Sequence, residues 1–270
     1  MTRVAGHRMR AAMAAIGLLV AAWATASGVD ASPVSPAATW LAAGDSAVGR
    51  LDLDAALTAF TRAHRADPES YEAAWKLARA LSDRATLSTK AADQLGLCAQ
   101  AESLARAATA LAPRGAEGHA FLAIALGKRA LFEGGRRRVR LAYEIRAQAD
   151  TAIAIDSTQD LAHHVLGVWN RDIVALPGPE RLFATLLFGR LPQGSLDDAL
   201  DHLRTATRLQ PEVIPHHVEL GITLAAAHRD REAENELERA LALPTSWVTD
   251  DVYRAKARAA LERVRRNLGR

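Results

Sequence analysis

From residue 37 to the C-terminus, apolar residues recur at intervals of three and four, with polar residues between them. That 3.6-residue period predicts amphipathic helices, and no alternating β-branched run competes with it. Five segments punctuate the pattern: Ala63 to Pro68, Ala108 to Pro113, Ala152 to Ser157, Ala206 to Pro211 and Ala240 to Pro244. Each has a small residue, then an apolar one, and four of the five close on proline. Proline has no amide N–H to give the preceding turn, so it stops a helix. A new helical pattern starts a few residues later each time. The chain reads as all-α, built from helix pairs.

Counted from residue 37, the first unit carries Trp40, Gly44, Ala56, Phe60, Ala63 and Pro68. Gly44 and Ala56 are small where two antiparallel helices cross, and Ala63 is small where the next unit lies against it. Trp40 and Phe60 fill the gap between the helices, and Pro68 ends the second one. These six positions resemble the 34-residue tetratricopeptide repeat. Later units match less fully. They begin near Tyr71 (with Leu77, Ala78, Ala101, Ala108), Ala116 (Leu122, Ala123, Ala152), Asp160 (Leu166, Gly167, Ala199, Ala206) and Ile214 (Leu220, Gly221, Ala233, Leu237, Ala240). The markers at 68, 113, 157, 211 and 244 lie 45, 44, 54 and 33 residues apart, so the middle units carry insertions, read as longer helices or wider turns. The expectation is a tetratricopeptide-like solenoid of about five helix pairs over 37–249, divided 37–70, 71–115, 116–159, 160–213 and 214–249. A helix over 250–270 then caps it, because an end repeat must hide an apolar face and show a polar one.

The N-terminus breaks the period. Arg3, Arg8 and Arg10 precede a continuous apolar run from Ala11 to Ala26, and small residues follow at Ala24-Thr25-Ala26 and Val29-Asp30-Ala31. A basic start, a short apolar middle and small-residue cleavage sites read as a signal peptide over 1–26, cut after Ala26 or Ala31. Export to the periplasm or cell envelope is therefore expected. An uncleaved membrane anchor and a mitochondrial transit peptide are the alternatives, although 16 apolar residues fall short of the roughly 20 that span a bilayer. Residues 27–36, with Ser32-Pro33-Val34-Ser35-Pro36, read as a disordered linker.

Composition narrows the function classes. There are 59 alanines among 270 residues and only 5% aromatics, which favours closely packed helices over a sheet core. A single cysteine, Cys98, excludes an internal disulfide framework, a cysteine-based zinc site and a CxxC pair. The formal charge is +3, and removal of residues 1–26 would leave 31 basic and 31 acidic residues, so global charge gives no argument for nucleic acid. Of the 34 basic residues only four are lysine.

The middle units carry a more specific pattern. Leu126-Gly127-Lys128-Arg129-Ala130-Leu131-Phe132-Glu133-Gly134-Gly135 is followed by a basic stretch through Arg140. Then come Ala162-His163-His164-Val165-Leu166-Gly167-Val168-Trp169-Asn170-Arg171, Leu187-Phe188-Gly189-Arg190-Leu191-Pro192 and His217-Val218-Glu219-Leu220-Gly221. This order and spacing resemble the regulator of microtubule dynamics family and its bacterial relatives over roughly residues 70–265. The resemblance implies a non-enzymatic helical-repeat protein. Animal members associate with microtubules, spindle poles, mitochondria and membrane contacts, and this chain differs from them in its export-like N-terminus.

The expected function is a non-catalytic scaffold that binds a peptide or a partner's helix in its concave groove. A membrane-anchored structural or tethering protein is the alternative. The groove-facing positions, by repeat register, are Asp45, Glu72, Trp75, Arg79, Asp83, Glu117, Lys128, His164, Arg171 and Asp172. The Lys-Asn clamp for chaperone C-terminal carboxylates is missing, since Leu41 and Asp45 stand at its first positions. Arg136, Arg137, Arg138 and Arg140 form a basic run that reads either as a patch for an acidic partner or as a solvated helix start. Leu182, Phe183, Leu186, Leu187 and Phe188 make an apolar insert, either packed on the array or exposed to a partner. The pairs His163-His164 and His216-His217 lack metal-ligand spacing, and His163 and His217 fall where Trp40 falls, inside a helix pair. No catalytic residue, metal, cofactor or nucleic-acid partner is expected, because no GxSxG, P-loop or dinucleotide turn occurs.

Overall fold

Ser35 starts the array. Its hydroxyl accepts the Ala38 N–H, and Pro36 opens the first helix with a φ already suited to it. Both residues were expected in a linker, and both belong to the folded unit. The structure is a computed structural model, and its described residues are 35–176, 181–182, 185–186 and 193–269. The chain divides into Met1–Val34, outside those residues, and Ser35–Arg270. The signal-peptide reading therefore falls outside the described part.

Eleven helices follow in order among the described residues: α1 (Pro36–Gly49), α2 (Leu53–Ala66), α3 (Tyr71–Leu87), α4 (Ala91–Leu111), α5 (Ala116–Ala130), α6 (Gly135–Ile155), α7 (Asp160–Val174), α8 (Leu196–Leu209), α9 (Ile214–Ala226), α10 (Asp230–Ala242) and α11 (Asp250–Asn267). No strand occurs among the described residues. Side-chain caps set several starts: Asp52 accepts from Ala55 N–H, Ser70 from Ala73 N–H, and Ser195 from both Asp197 and Asp198 N–H. The insertions in the second and third units lengthen helices, since α4 and α6 have 21 residues against 14 in α2. In the fourth unit the extra chain lies between α7 and α8.

Successive helices pack as antiparallel pairs, α1 with α2 through to α9 with α10, and α11 lies on α9 and α10 as the cap. Small residues make this possible. Ala56, Ala63, Ala101, Ala108, Ala152, Ala199, Ala206, Ala233 and Ala240 are all fully buried. A Cβ added to Gly44 would lie 2.3 Å from the Phe60 ring, one on Gly167 2.4 Å from Leu203 Cγ, and one on Gly221 2.7 Å from Leu237 Cγ. The same crossing thus recurs in three pairs, a glycine on the first helix under a large side chain of the second.

Histidines join one pair to the next. His119, His163 and His217 sit at equivalent places, and each ring Nε2 lies 2.9–3.2 Å from a carbonyl oxygen six residues earlier, that of Pro113, Ser157 and Pro211. With the Nε2–H donating, each ring satisfies a carbonyl left free beyond the preceding helix. His163 and His217 are therefore packing residues. His119 plays the same part, and its repetition at the 44- and 54-residue spacing of the punctuation marks is visible in the chain.

Candidate functional site

The first helices of the pairs also touch one another, α3 to α5 to α7 to α9 to α11. Their shared inner face is polar, although apolar side chains fill the layer between first and second helices. Helical periodicity explains the arrangement. Arg79 and Asp83 are one turn apart on α3, His164 and Arg171 two turns apart on α7, and Glu219 and Thr223 one turn apart on α9, so each set shares a face.

Near α1 and α3, Lys76 Nζ donates to Asp45 Oδ1 and Oδ2 at 2.8 and 2.6 Å and pairs with Glu72 at 2.6 Å. Trp75 stacks on Phe121 of α5, with ring centroids 5.4 Å apart and planes inclined by 6°. Lys128 of α5 reaches back to donate to the Thr86 hydroxyl. Burial pushes the Asp83 carboxyl up to about 6, against Arg79, Lys128 and a tryptophan N–H, which hold it down. Burial likewise pushes the Lys128 ammonium and the Arg79 guanidinium down.

Near α7, α9 and α11 the centre is Glu219, only 3% exposed. It accepts from Arg171 Nη1 at 2.6 Å and pairs with Lys256. Burial alone would raise its carboxyl, but Lys256 and Arg171 outweigh that and hold it at about 2. Beside it, Asp160 Oδ2 lies 2.8 Å from His216 Nε2, and His216 Nδ1 lies 3.0 Å from His164 Nδ1. The His216 Nε2–H donates to the Asp160 carboxylate, and one proton lies between His216 Nδ1 and His164 Nδ1, so the ring bridges the two residues. Burial and the facing His216 push His164 down to about 3, so it is neutral at physiological pH. The two regions share one field: Asp160 acts on Arg79, Lys256 on Lys128, and both Glu219 and Asp83 on Tyr253.

The residues named from the sequence divide accordingly. Asp45, Glu72, Trp75, Arg79, Asp83, Lys128, His164, Arg171 and Asp172 lie along this face, with Asp172 on its rim, bonded to Arg171 at 2.9 Å. Glu117 is held elsewhere. It accepts the Tyr71 hydroxyl proton at 2.9 Å, while that oxygen accepts Gly118 N–H at 3.0 Å, so Glu117 fastens α5 to α3. The basic run opens α6, and all four arginines are exposed. Arg137 pairs with Glu133 at 2.9 Å and Arg138 donates to the Ala130 carbonyl at 3.2 Å, both within the turn that starts the helix. Leu182 and Leu186 are largely exposed, at 63% and 75%, whereas Phe183, Leu187 and Phe188 lie outside the described residues.

Sequence reading missed Lys76, Glu219, Trp247 and Lys256. One signal was present: three of the four lysines, Lys76, Lys128 and Lys256, stand on first helices or the cap and reach this face. Among the described residues no group of three or more His, Cys, Asp or Glu is placed to hold a metal ion, and no helix is long and apolar enough to cross a membrane.

Comparison with known proteins gives the family. The model of Regulator of microtubule dynamics protein 1-3 matches residues 41–265. Regulator of microtubule dynamics protein 3 of Bos taurus is 28% identical over 66% of this chain and 38% of its own length. Regulator of microtubule dynamics protein 1 of Bos taurus is 26% identical over 71% of this chain and 61% of its own. The chain thus spans less than two thirds of either relative. A thermophilic tetratricopeptide protein of Thermus thermophilus superposes with a TM-score of 0.61 at 21% identity, covering 84% of this chain and 99% of that one, which shows the fold. The expectation of export to the periplasm or envelope is corrected by the curated relatives, which are animal proteins named for microtubules. That expectation rested on the basic start, apolar run and small-residue spacing of residues 1–31 alone. With 225 consecutive positions matched, from 41 to 265, the chain belongs to the regulator of microtubule dynamics family.

Proposed function

We propose that the protein is a non-catalytic scaffold that binds a partner's peptide or helix along the polar inner face. Fold and family support a protein-interaction scaffold. The observation that carries the finer reading is the placement of charge. Five cations (Lys76, Arg79, Lys128, Arg171, Lys256) and six carboxylates (Asp45, Glu72, Asp83, Asp160, Asp172, Glu219) stand along one face, Glu219 buried and the others half-buried or at its rim. Charged groups in partly desolvated positions select a partner by complementary charge and orient it. They lie apart from the apolar layer between the helices, which is built from aliphatic and aromatic side chains.

The test is differential capture. Wild-type chain, the Arg79→Ala/Lys128→Ala variant and the outer-surface Arg138→Glu/Arg140→Glu variant are immobilised and offered the same cell extract. The expected result is that the inner-face variant loses its bound proteins at least tenfold while the outer-surface variant keeps them. Retention by the first and loss by the second would overturn the reading. The relatives' name makes polymerised tubulin a specific partner to include in the same comparison.

A further inference from the structure

The inner face is occupied at one end by the chain itself. The connection between α10 and α11 runs back to the first two pairs, 164 residues away in sequence. Trp247 Nε1–H donates to Asp83 Oδ2 at 3.0 Å, and the Arg79 guanidinium lies 3.7 Å above the indole ring. Trp247 and Val248 are received by Val48, Leu53, Phe60 and Ala80, with Lys76 at the edge, leaving about 10 Å³ unfilled. Beside this contact, Val248 and Trp247 form one wall of an open cleft of about 520 Å³ against Leu51, Leu53, Arg84 and Leu87.

The segment is shaped before it docks. Asp250 is fully buried at the start of α11, and its Oδ2 accepts both Ser246 N–H and Trp247 N–H at 2.8 Å. Arg254 donates to the Thr245 hydroxyl and the Leu243 carbonyl, both at 2.8 Å. These bonds are internal to the connection and its helix, so they do not depend on α3. The indole, its N–H and Val248 engage the first pairs.

We propose that Trp247–Val248 is an intramolecular ligand of the inner face. The partner segment that takes its place carries the same chemistry: an aromatic ring with an N–H or O–H donor, followed by a β-branched aliphatic residue. The inference rests on the inner face being the binding surface, and adds which part binds and what it recognises. The ring supplies a π-face for Arg79, a donor for Asp83 and apolar area for Val48, Leu53 and Phe60. Tethering gives the internal segment a high effective concentration, so a free ligand competes against it.

The experiment uses a fluorescein-labelled peptide of residues 244–250 (Pro-Thr-Ser-Trp-Val-Thr-Asp) and reads anisotropy on the full chain. Trp247→Ala should bind it at least tenfold more tightly than wild type, and the peptide with alanine for tryptophan should lose that binding. Arg79→Ala added to Trp247→Ala should lose it too. Equal binding by wild type and Trp247→Ala, or none by a Trp247→Ala chain that circular dichroism shows to be folded, would overturn the proposal. A second measurement needs no variant. Excess unlabelled peptide added to 15N-labelled wild type should speed exchange of the Trp247 indole N–H, which is bonded to Asp83, and leave α6 unchanged, and no acceleration would count against the proposal. Failure here with success of the inner-face capture experiment would discard the internal ligand and leave the binding surface standing.

Discussion

Replacing Glu219 with alanine is expected to cost about 3 kcal/mol of stability, or roughly 6–12 °C in Tm for an array of this size. The carboxylate is 3% exposed and holds two cations at once, Arg171 from α7 and Lys256 from α11. Its removal leaves the Arg171 guanidinium, itself only 13% exposed, beside a newly emptied site. Asp172 still pairs with Arg171 and Lys256 is nearly half exposed, so the cost belongs at the lower end of what breaking a buried ion pair brings. The pH dependence has a definite sign. The carboxyl is held at about 2 in the fold against an ordinary 4.5, so its contribution is complete above pH 4.5 and is lost as pH falls towards 2. Thermal melts of wild type and Glu219→Ala at pH 7 and pH 2.5 check it. The difference between the two proteins should be large at the first and mostly gone at the second, and equal differences at both would refute the assignment.

The second large effect is a contrast between two glycines given the same substitution. Gly167→Ala should destabilise by about 1–3 kcal/mol, because its Cβ would stand 2.4 Å from Leu203 Cγ and 3.0 Å from the Ala199 carbonyl oxygen. Leu203 is fully buried and the carbonyl belongs to α8 itself, so neither yields cheaply. Gly127→Ala should stabilise by about 0.5–1 kcal/mol, since its Cβ meets nothing within 4 Å and alanine favours the helix. Denaturant titration of both proteins reads the two signs. If both substitutions stabilise, the close crossing of α7 and α8 is not the constraint that keeps residue 167 small.

That contrast marks what the chain discloses about its fold. Helix stops are local events, and Pro68, Pro113 and Pro211 make them readable, whereas the cap at Ser35 was hidden in a Ser/Pro stretch that reads as linker. Small residues at crossings recur with the repeat, so Gly44, Gly167 and Gly221 are readable too. The inner face was legible only where register alone decides. Asp45 with Arg79, and Asp83 with Lys128, fall at matching repeat positions, and His164 and Arg171 lie on the same side of a first helix. Glu219 was missed although its setting carries a sign. It stands between Val218 and Leu220 in a run whose neighbours are buried, and an acid in such a place needs a cation. Trp247 carries no such sign. It lies between helices, where no periodicity speaks, and its partner is 164 residues away in sequence. The N-terminus was read from a basic start, an apolar run and small-residue spacing, a pattern that leaders of different destinations share. The family corrects the expected export to the periplasm or envelope.

Whether partners bind the inner face is decided by site-specific photo-crosslinking in cells. A benzophenone amino acid is placed at Asp172, on the exposed rim of that face, or at Arg140, on the outer surface of α6. Crosslinked protein products are expected from position 172, with few or none from position 140. Products from position 140 alone would show that partners dock on the outer surface and that the inner-face reading is wrong.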